Sequence, residues 1–113
     1  MAIKSDNKQI VSRKNKKYFG SDLIAFALHE LKIPYASLNP GASYRGLHDS
    51  IVNILGNDQP QMVINLHEEH SISMAHGYAK VTRKPLIAIV HSNVSLMHAT
   101  MAIFNSWMEW KRS

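Results

Sequence analysis

Two adjacent carboxylates, Glu68 and Glu69, lie between His67 and His70 in the segment "NLHEEHS". Carboxyl and imidazole groups at this spacing can hold a metal ion, exchange a proton or bind the polar edge of a heterocycle. The segment is not the zinc motif H-E-x-x-H, because Ser71 stands where the second histidine is required. Two histidines three residues apart need a further ligand to bind zinc, so the sequence predicts no metal site.

The length and composition indicate one small globular domain with a modest core. The chain has 113 residues, of which 45% are hydrophobic, and it contains no cysteine for disulfides or thiolate sites. We interpret the protein as cytoplasmic. The net charge of +5 is concentrated at the N-terminus, which predicts a basic flexible leader over residues 1–18 and a folded domain over 19–113. No aromatic residues alternate with these charges, so nucleic acid is not the predicted partner.

Helix and strand patterns alternate along the chain. Predicted helices start with Ser21 as N-cap of "DLIAFALHEL" and continue with "YRGLHDSIVNIL", about residues 68–81 and about residues 96–107. The predicted strands between them are "YASL", "MVINL" and "PLIAIV", and they lack the polar alternation of half-exposed strands. This order predicts an α/β fold, a three-layer α/β/α arrangement with a parallel sheet.

Three loops follow the predicted strands, "NPGAS", "NLHEE" and "HSNVS". Ligands of parallel sheets bind beyond the carboxyl ends of the strands, so these loops outline a candidate site. No phosphate-binding glycine motif is present. Two interpretations of Glu68 and Glu69 remain open at this point. They can compensate the helix dipole in solvent, or one can be partly desolvated, with a raised pKa that lets it share a proton with a bound heterocycle.

Three segments carry a resemblance to a known family: "NPGAS", "LHEEHSISMAHGYAKVTRKP" and "VHSNVSLMHATMAIFNSW". Together they resemble the N-terminal pyrimidine-binding domain of thiamine-diphosphate-dependent enzymes, in the branch of acetolactate synthase and benzoylformate decarboxylase. The resemblance covers about residues 19–108. It implies a 2-oxo acid decarboxylase or carboligase in which the cofactor serves as the electron sink.

The resemblance also implies a role for individual residues. Glu68 matches the catalytic glutamate that hydrogen-bonds N1′ of the cofactor's aminopyrimidine. Glu69 is interpreted as a solvated helix-start residue, with a supporting position behind the residues that contact the cofactor as the alternative. Gly41 is expected to let the backbone approach closely. The residues predicted to bind the pyrimidine half of thiamine diphosphate are Asn39, Pro40, Gly41, Ala42, His67, Glu68, Ser92 and Asn93.

The chain departs from the family pattern at several points. Arg83 and Ser95 stand where relatives usually carry glycine, and no fourth strand or G-D-G…N motif for magnesium and diphosphate follows. These departures lead us to expect a truncated fragment that is inactive alone. Magnesium is then expected only from a missing domain or a partner chain, in a homo-oligomer or with a partner subunit. The alternative is a non-catalytic interaction module that docks on a full-length relative through its open sheet edge.

Overall fold

The computed structural model describes residues 17–110. Nearly all of the predicted basic leader, residues 1–18, lies outside the described residues, as do residues 111–113. Within residues 17–110, none of the helices combines the length and apolar character that crossing a bilayer requires.

Helices and strands alternate through the described part of the chain. In chain order, the elements are α1 (Gly20–Glu30), β1 (Tyr35–Leu38), a short 3-10 helix (Ala42–Tyr44), α2 (Arg45–Asn53), β2 (Gln61–Ile64), α3 (Glu68–Thr82), β3 (Ile87–Ile89) and α4 (Ser92–Trp110). The predicted number, type and order of the α-helices and strands are thus confirmed.

The three strands form one parallel sheet in the order β2-β1-β3. In the centre, Ala36 of β1 is in register with Met62 of β2 and Ile87 of β3. Ala36 and Leu38 are almost completely buried, as expected for a parallel strand covered on both faces. The predicted α/β fold class is therefore confirmed.

The helices pack in two pairs around this sheet. Helix α3 contacts β1, β3 and α4, whereas α1 packs against α2. Ala25 of α1 and Ile51 of α2 are fully buried. The start of α4 lies beside the start of α3, since Ser95 and His98 both reach Glu68, and the candidate site forms there.

Two predicted helix starts were wrong. The N-cap of α1 is Phe19 rather than Ser21, and the carboxylate of Asp22 accepts a 2.8 Å hydrogen bond from the Phe19 backbone N–H. Helix α4 begins at Ser92, not near Leu96, so most of the predicted "HSNVS" loop is helical. A left-handed Ser92 (φ 59°) turns the chain directly into the helix.

Helix α3 ends in a left-handed residue, Arg83, at a position where the resemblance in sequence implies glycine. Arg83 has φ 58° and ψ 26°, and its backbone N–H donates to the carbonyl of Ala79 at 2.9 Å. A side chain at a left-handed position costs on the order of 1 kcal/mol relative to glycine. Helix α3 therefore ends in a left-handed residue without the glycine that adopts this conformation at the lowest cost.

Candidate functional site

The site lies at the carboxyl edge of the parallel sheet, where loops and helix starts meet. Asn39 directly follows β1, and Glu68 is the first residue of α3, soon after β2. Helix α4 follows β3 and brings Ser95 and His98 to the same place. The carboxyl ends of three parallel strands therefore supply side chains to one point, the Glu68 carboxylate.

Both oxygens of Glu68 are engaged by side chains. Oε1 accepts hydrogen bonds from Asn39 Nδ2 at 2.9 Å and from Ser95 Oγ at 2.7 Å. Oε2 lies 2.8 Å from His98 Nδ1. Glu68 is only 9% exposed, so the interpretation of a solvated helix-start carboxylate is wrong for this residue.

The hydrogen bonds determine the charge state of Glu68. They lower its pKa from the ordinary 4.5 to about 2, with the Ser95 hydroxyl contributing most, followed by His98, the residue's own backbone N–H and Asn39. Desolvation acts in the opposite direction but is the smallest effect. The expectation of a raised pKa was wrong, because partial burial here comes with donors that stabilise the anion.

His98 connects the two carboxylates. Its Nδ1 lies 2.8 Å from Oε2 of Glu68 and 3.2 Å from Oε2 of Glu69. The pKa of His98 is raised, mainly by the Glu68 hydrogen bond and against the effect of desolvation. Its side chain is 48% exposed, so one face of the Glu68–His98 pair is open to solvent.

His67 completes a small group of imidazoles beside the carboxylates. It is the exposed N-cap of α3, and its ring centroid lies 5.7 Å from that of His98 and 5.5 Å from that of His70. The structure therefore places the predicted His67 at the site. Sequence reasoning missed Ser95 and His98 as site residues, although both follow the third strand and are one helical turn apart.

The predicted loop after β1 is held in place by His91. A Cβ added to Gly41 would lie 2.3 Å from Cγ of His91, so no side chain fits there while His91 keeps this position. The Ser43 hydroxyl lies 2.5 Å from Nδ1 of the same imidazole. The Tyr44 hydroxyl donates to the carbonyl of Asn39, and burial, followed by the charge of Glu68, raises the Tyr44 pKa.

The other predicted binding residues are not brought to the carboxylate in the same way. Pro40 and Ala42 are exposed beside Gly41. Ser92 and Asn93 are exposed in the first turn of α4, where the Ser92 hydroxyl donates to the Asn93 side chain at 3.2 Å. Their cofactor-binding role stays a prediction.

Comparison with known proteins gives one match. Residues 19–110 match the family described as thiamine pyrophosphate enzyme, N-terminal TPP binding domain. No curated protein and no solved structure gives a significant match. The parallel sheet whose carboxyl edge presents Glu68 is consistent with this match. Because the match covers most of the chain, the chain belongs to the N-terminal thiamine-pyrophosphate-binding domain family.

Proposed function

We propose that this chain supplies the pyrimidine-binding half of a thiamine-diphosphate-dependent enzyme that decarboxylates or ligates 2-oxo acids, in the manner of acetolactate synthase or benzoylformate decarboxylase. The observation that supports this proposal is the Glu68 carboxylate, nearly buried beyond the parallel strands and held by three side-chain partners. The family match supports binding of the cofactor. The reaction type rests on the resemblance in sequence.

The geometry of Glu68 fits an aminopyrimidine ring. Oε1 is committed to Asn39 and Ser95, which fix the plane of the carboxylate. Oε2 is bonded to a half-exposed side chain, His98. A rotation of His98 frees Oε2 for a ring nitrogen without disturbing the donors on Oε1. We therefore infer that His98 gives way when the ring binds.

The charge state of Glu68 defines what this residue does. With its pKa lowered to about 2, Glu68 is a carboxylate at neutral pH and accepts a hydrogen bond rather than donating one. It therefore favours the protonated state of a ring nitrogen held against it. Asn39 and Ser95 orient the acceptor. When bound, thiamine diphosphate supplies the electron sink for the 2-oxo acid.

The diphosphate and magnesium are proposed to bind outside the described residues, on another segment or on a partner chain. The resemblance assigns them to a G-D-G…N motif, which the 113 residues do not contain. We expect the chain alone, with thiamine diphosphate and magnesium, to release no carbon dioxide from pyruvate or benzoylformate. Steady release would contradict this part of the proposal.

The pyrimidine site can be tested without turnover. Saturation-transfer NMR with 4-amino-2-methylpyrimidine measures contact between the isolated ring and the protein. We expect a signal for the wild-type chain and its loss in Glu68→Gln, because an amide cannot stabilise a protonated ring nitrogen as a carboxylate does. The matched control, Glu69→Gln, should retain the signal. The His98→Ala variant should bind the ring more tightly, because Oε2 no longer has a competing partner.

The outcome that contradicts the proposal is a ring signal that Glu68→Gln leaves unchanged. Equal losses in Glu68→Gln and Glu69→Gln would also contradict it, since that result indicates a general charge effect. Circular dichroism of each variant shows whether the fold is retained, and the His98→Ala gain provides a readout that misfolding cannot imitate.

A second candidate function is an interaction module that docks on a full-length relative. Two observations favour it: within residues 17–110 no further strand pairs with the outer edge of β3, and Val94, Met97, Met101 and Phe104 are each more than half exposed along α4. Co-elution with such a relative on size-exclusion chromatography would support it. A well-behaved monomer with no affinity for the relative would count against it.

A further inference from the structure

We propose that His98, Glu68 and Glu69, with His67 as a fourth ligand, form a binding site for a divalent transition-metal ion such as Zn²⁺. The four side chains offer one ligand atom each, and these atoms lie within 4.8 Å of one another. The proposal goes beyond cofactor binding, because it concerns a different ligand and uses Glu69 and His98, which the pyrimidine ring does not require. Both ligands use Oε2 of Glu68, so the ion and the ring would compete for the site.

The separations around His98 are close to those between ligands of one metal ion. Its Nδ1 lies 2.8 Å from Oε2 of Glu68 and 3.2 Å from Oε2 of Glu69. Tetrahedral zinc holds nitrogen and oxygen ligands at about 2.0–2.2 Å, which places those ligands roughly 3.3–3.6 Å apart. For these atoms to share one metal ion, the Glu68–His98 separation would have to open by roughly half an ångström. The wider separations in the group, which reach up to 4.8 Å, would have to close.

The second observation concerns Glu69 itself. Its Oε2 is closed to solvent and accepts no hydrogen bond within the described residues, although it faces His98. A shielded carboxylate oxygen normally accepts a hydrogen bond, whereas this one has the 3.2 Å ion-pair contact with Nδ1 of His98 in its place. A metal ion between Glu69 and Nδ1 of His98 would replace that contact with two coordination bonds, while the Nδ1 proton is released to water.

The chemistry of the ligand set favours zinc and its neighbours in the transition series over magnesium. Imidazole nitrogens suit Zn²⁺, Co²⁺ and Ni²⁺, whereas magnesium prefers oxygen ligands and retains water. His67 is exposed at the start of α3 with its ring near that of His98, so the site is accessible. Asn39 and Ser95 hold the distal oxygen of Glu68 and orient it, as outer-sphere hydrogen bonds do in metal sites.

The experiment is a titration of the full-length chain with Co²⁺, followed by visible absorption, and with Zn²⁺, followed by calorimetry. We expect one equivalent to bind, with the strong visible bands of tetrahedral Co²⁺, and excess Zn²⁺ to displace it. His98→Ala should abolish this binding, and Glu69→Gln should weaken it. Ser95→Ala should lower the affinity about 10–100-fold while keeping all four ligands, because Glu68 loses an orienting bond.

The matched control is His76→Ala. His76 is another α3 histidine, but it contacts Glu109 at 3.6 Å rather than the cluster, and its removal should leave the metal affinity unchanged. The absence of saturable binding would overturn the proposal. So would binding that His98→Ala or Glu69→Gln leaves intact, or an equal loss in His76→Ala.

The metal site and the pyrimidine site can fail separately. The same His98→Ala variant is expected to lose Co²⁺ but to gain affinity for 4-amino-2-methylpyrimidine. Glu69→Gln is expected to weaken Co²⁺ binding and to leave the pyrimidine signal unchanged. A result in which only one ligand follows its expected pattern therefore contradicts one proposal and supports the other.

Discussion

Helix α4 has two opposite faces that differ in side-chain size and in burial. One face carries small residues at steps of three and four, Ser95, Ala99, Ala102 and Ser106, and the first three of these are buried. The opposite face carries a stripe of large, exposed apolar residues, Val94, Met97, Met101, Phe104 and Met108. We call these the small face and the apolar stripe of α4.

The difference shows which face of α4 is packed against the rest of this chain and which face is left exposed. The small face lets α4 approach α3 closely enough for Ser95 and His98 to reach Glu68. The apolar stripe leaves unburied the side chains that normally contribute most to a core. A contiguous exposed apolar stripe is typical of a surface that another chain or segment covers. The candidate site is therefore built on the small face of α4, which is packed within this chain.

The largest expected effect comes from enlarging the small face. Ala99 is fully buried, so Ala99→Leu forces α3 and α4 apart. Overpacking of this kind lowers the free energy of unfolding by about 1–3 kcal/mol. Urea denaturation followed by circular dichroism measures the change.

The control for this prediction is Thr100→Leu, which introduces the same leucine side chain at the next, exposed position of α4. That change should stay within about 0.5 kcal/mol. If Ala99→Leu were as mild as Thr100→Leu, the small face would not be tightly packed, and the contrast between the two faces would disappear.

The second prediction concerns the Glu68–His98 pair, which forms because the small face lets α4 approach α3 closely. The pKa of Glu68 is lowered to about 2, so its contribution to stability is present above the ordinary 4.5 and is lost as pH falls through about 2. The pKa of His98 is raised from 6.5, so its contribution is present below 6.5 and is lost as pH rises through the raised value. The stabilisation should therefore be greatest between about pH 4.5 and 6.5.

The measurement is the difference in free energy of unfolding between wild type and His98→Ala, taken at a series of pH values. Subtracting the variant removes the titration of the other six histidines. His67 and Glu69 also face His98. When Glu69→Gln is present in both proteins, the difference in free energy of unfolding caused by His98→Ala should be smaller but should remain. A difference that stays constant from pH 4 to 9 would show that the pair has no role in stability.

The sequence predicted the fold better than the details of the site. Apolar runs such as "YASL" and helical periodicity determine elements locally, so the alternating order and parallel sheet could be predicted. The position of Glu68 followed from its place after a strand. The roles of Ser95 and His98 could not be predicted, because they depend on the distance between α3 and α4. The same contacts decide the sign of the Glu68 pKa shift, which sequence position alone leaves undetermined.

The smallest expected effect on stability comes from the apolar stripe. The double substitution Met97→Ser and Met101→Ser changes two exposed side chains, so the free energy of unfolding should change by no more than about 0.5 kcal/mol per site. Self-association should respond instead, because exposed apolar patches drive contact between copies. Sedimentation velocity should show less oligomer than for wild type, whereas Val81→Ser, an exposed apolar change on α3, should not alter it. If the double variant unfolded while its association state stayed the same, the stripe would belong to the core of this chain rather than to a surface for a partner.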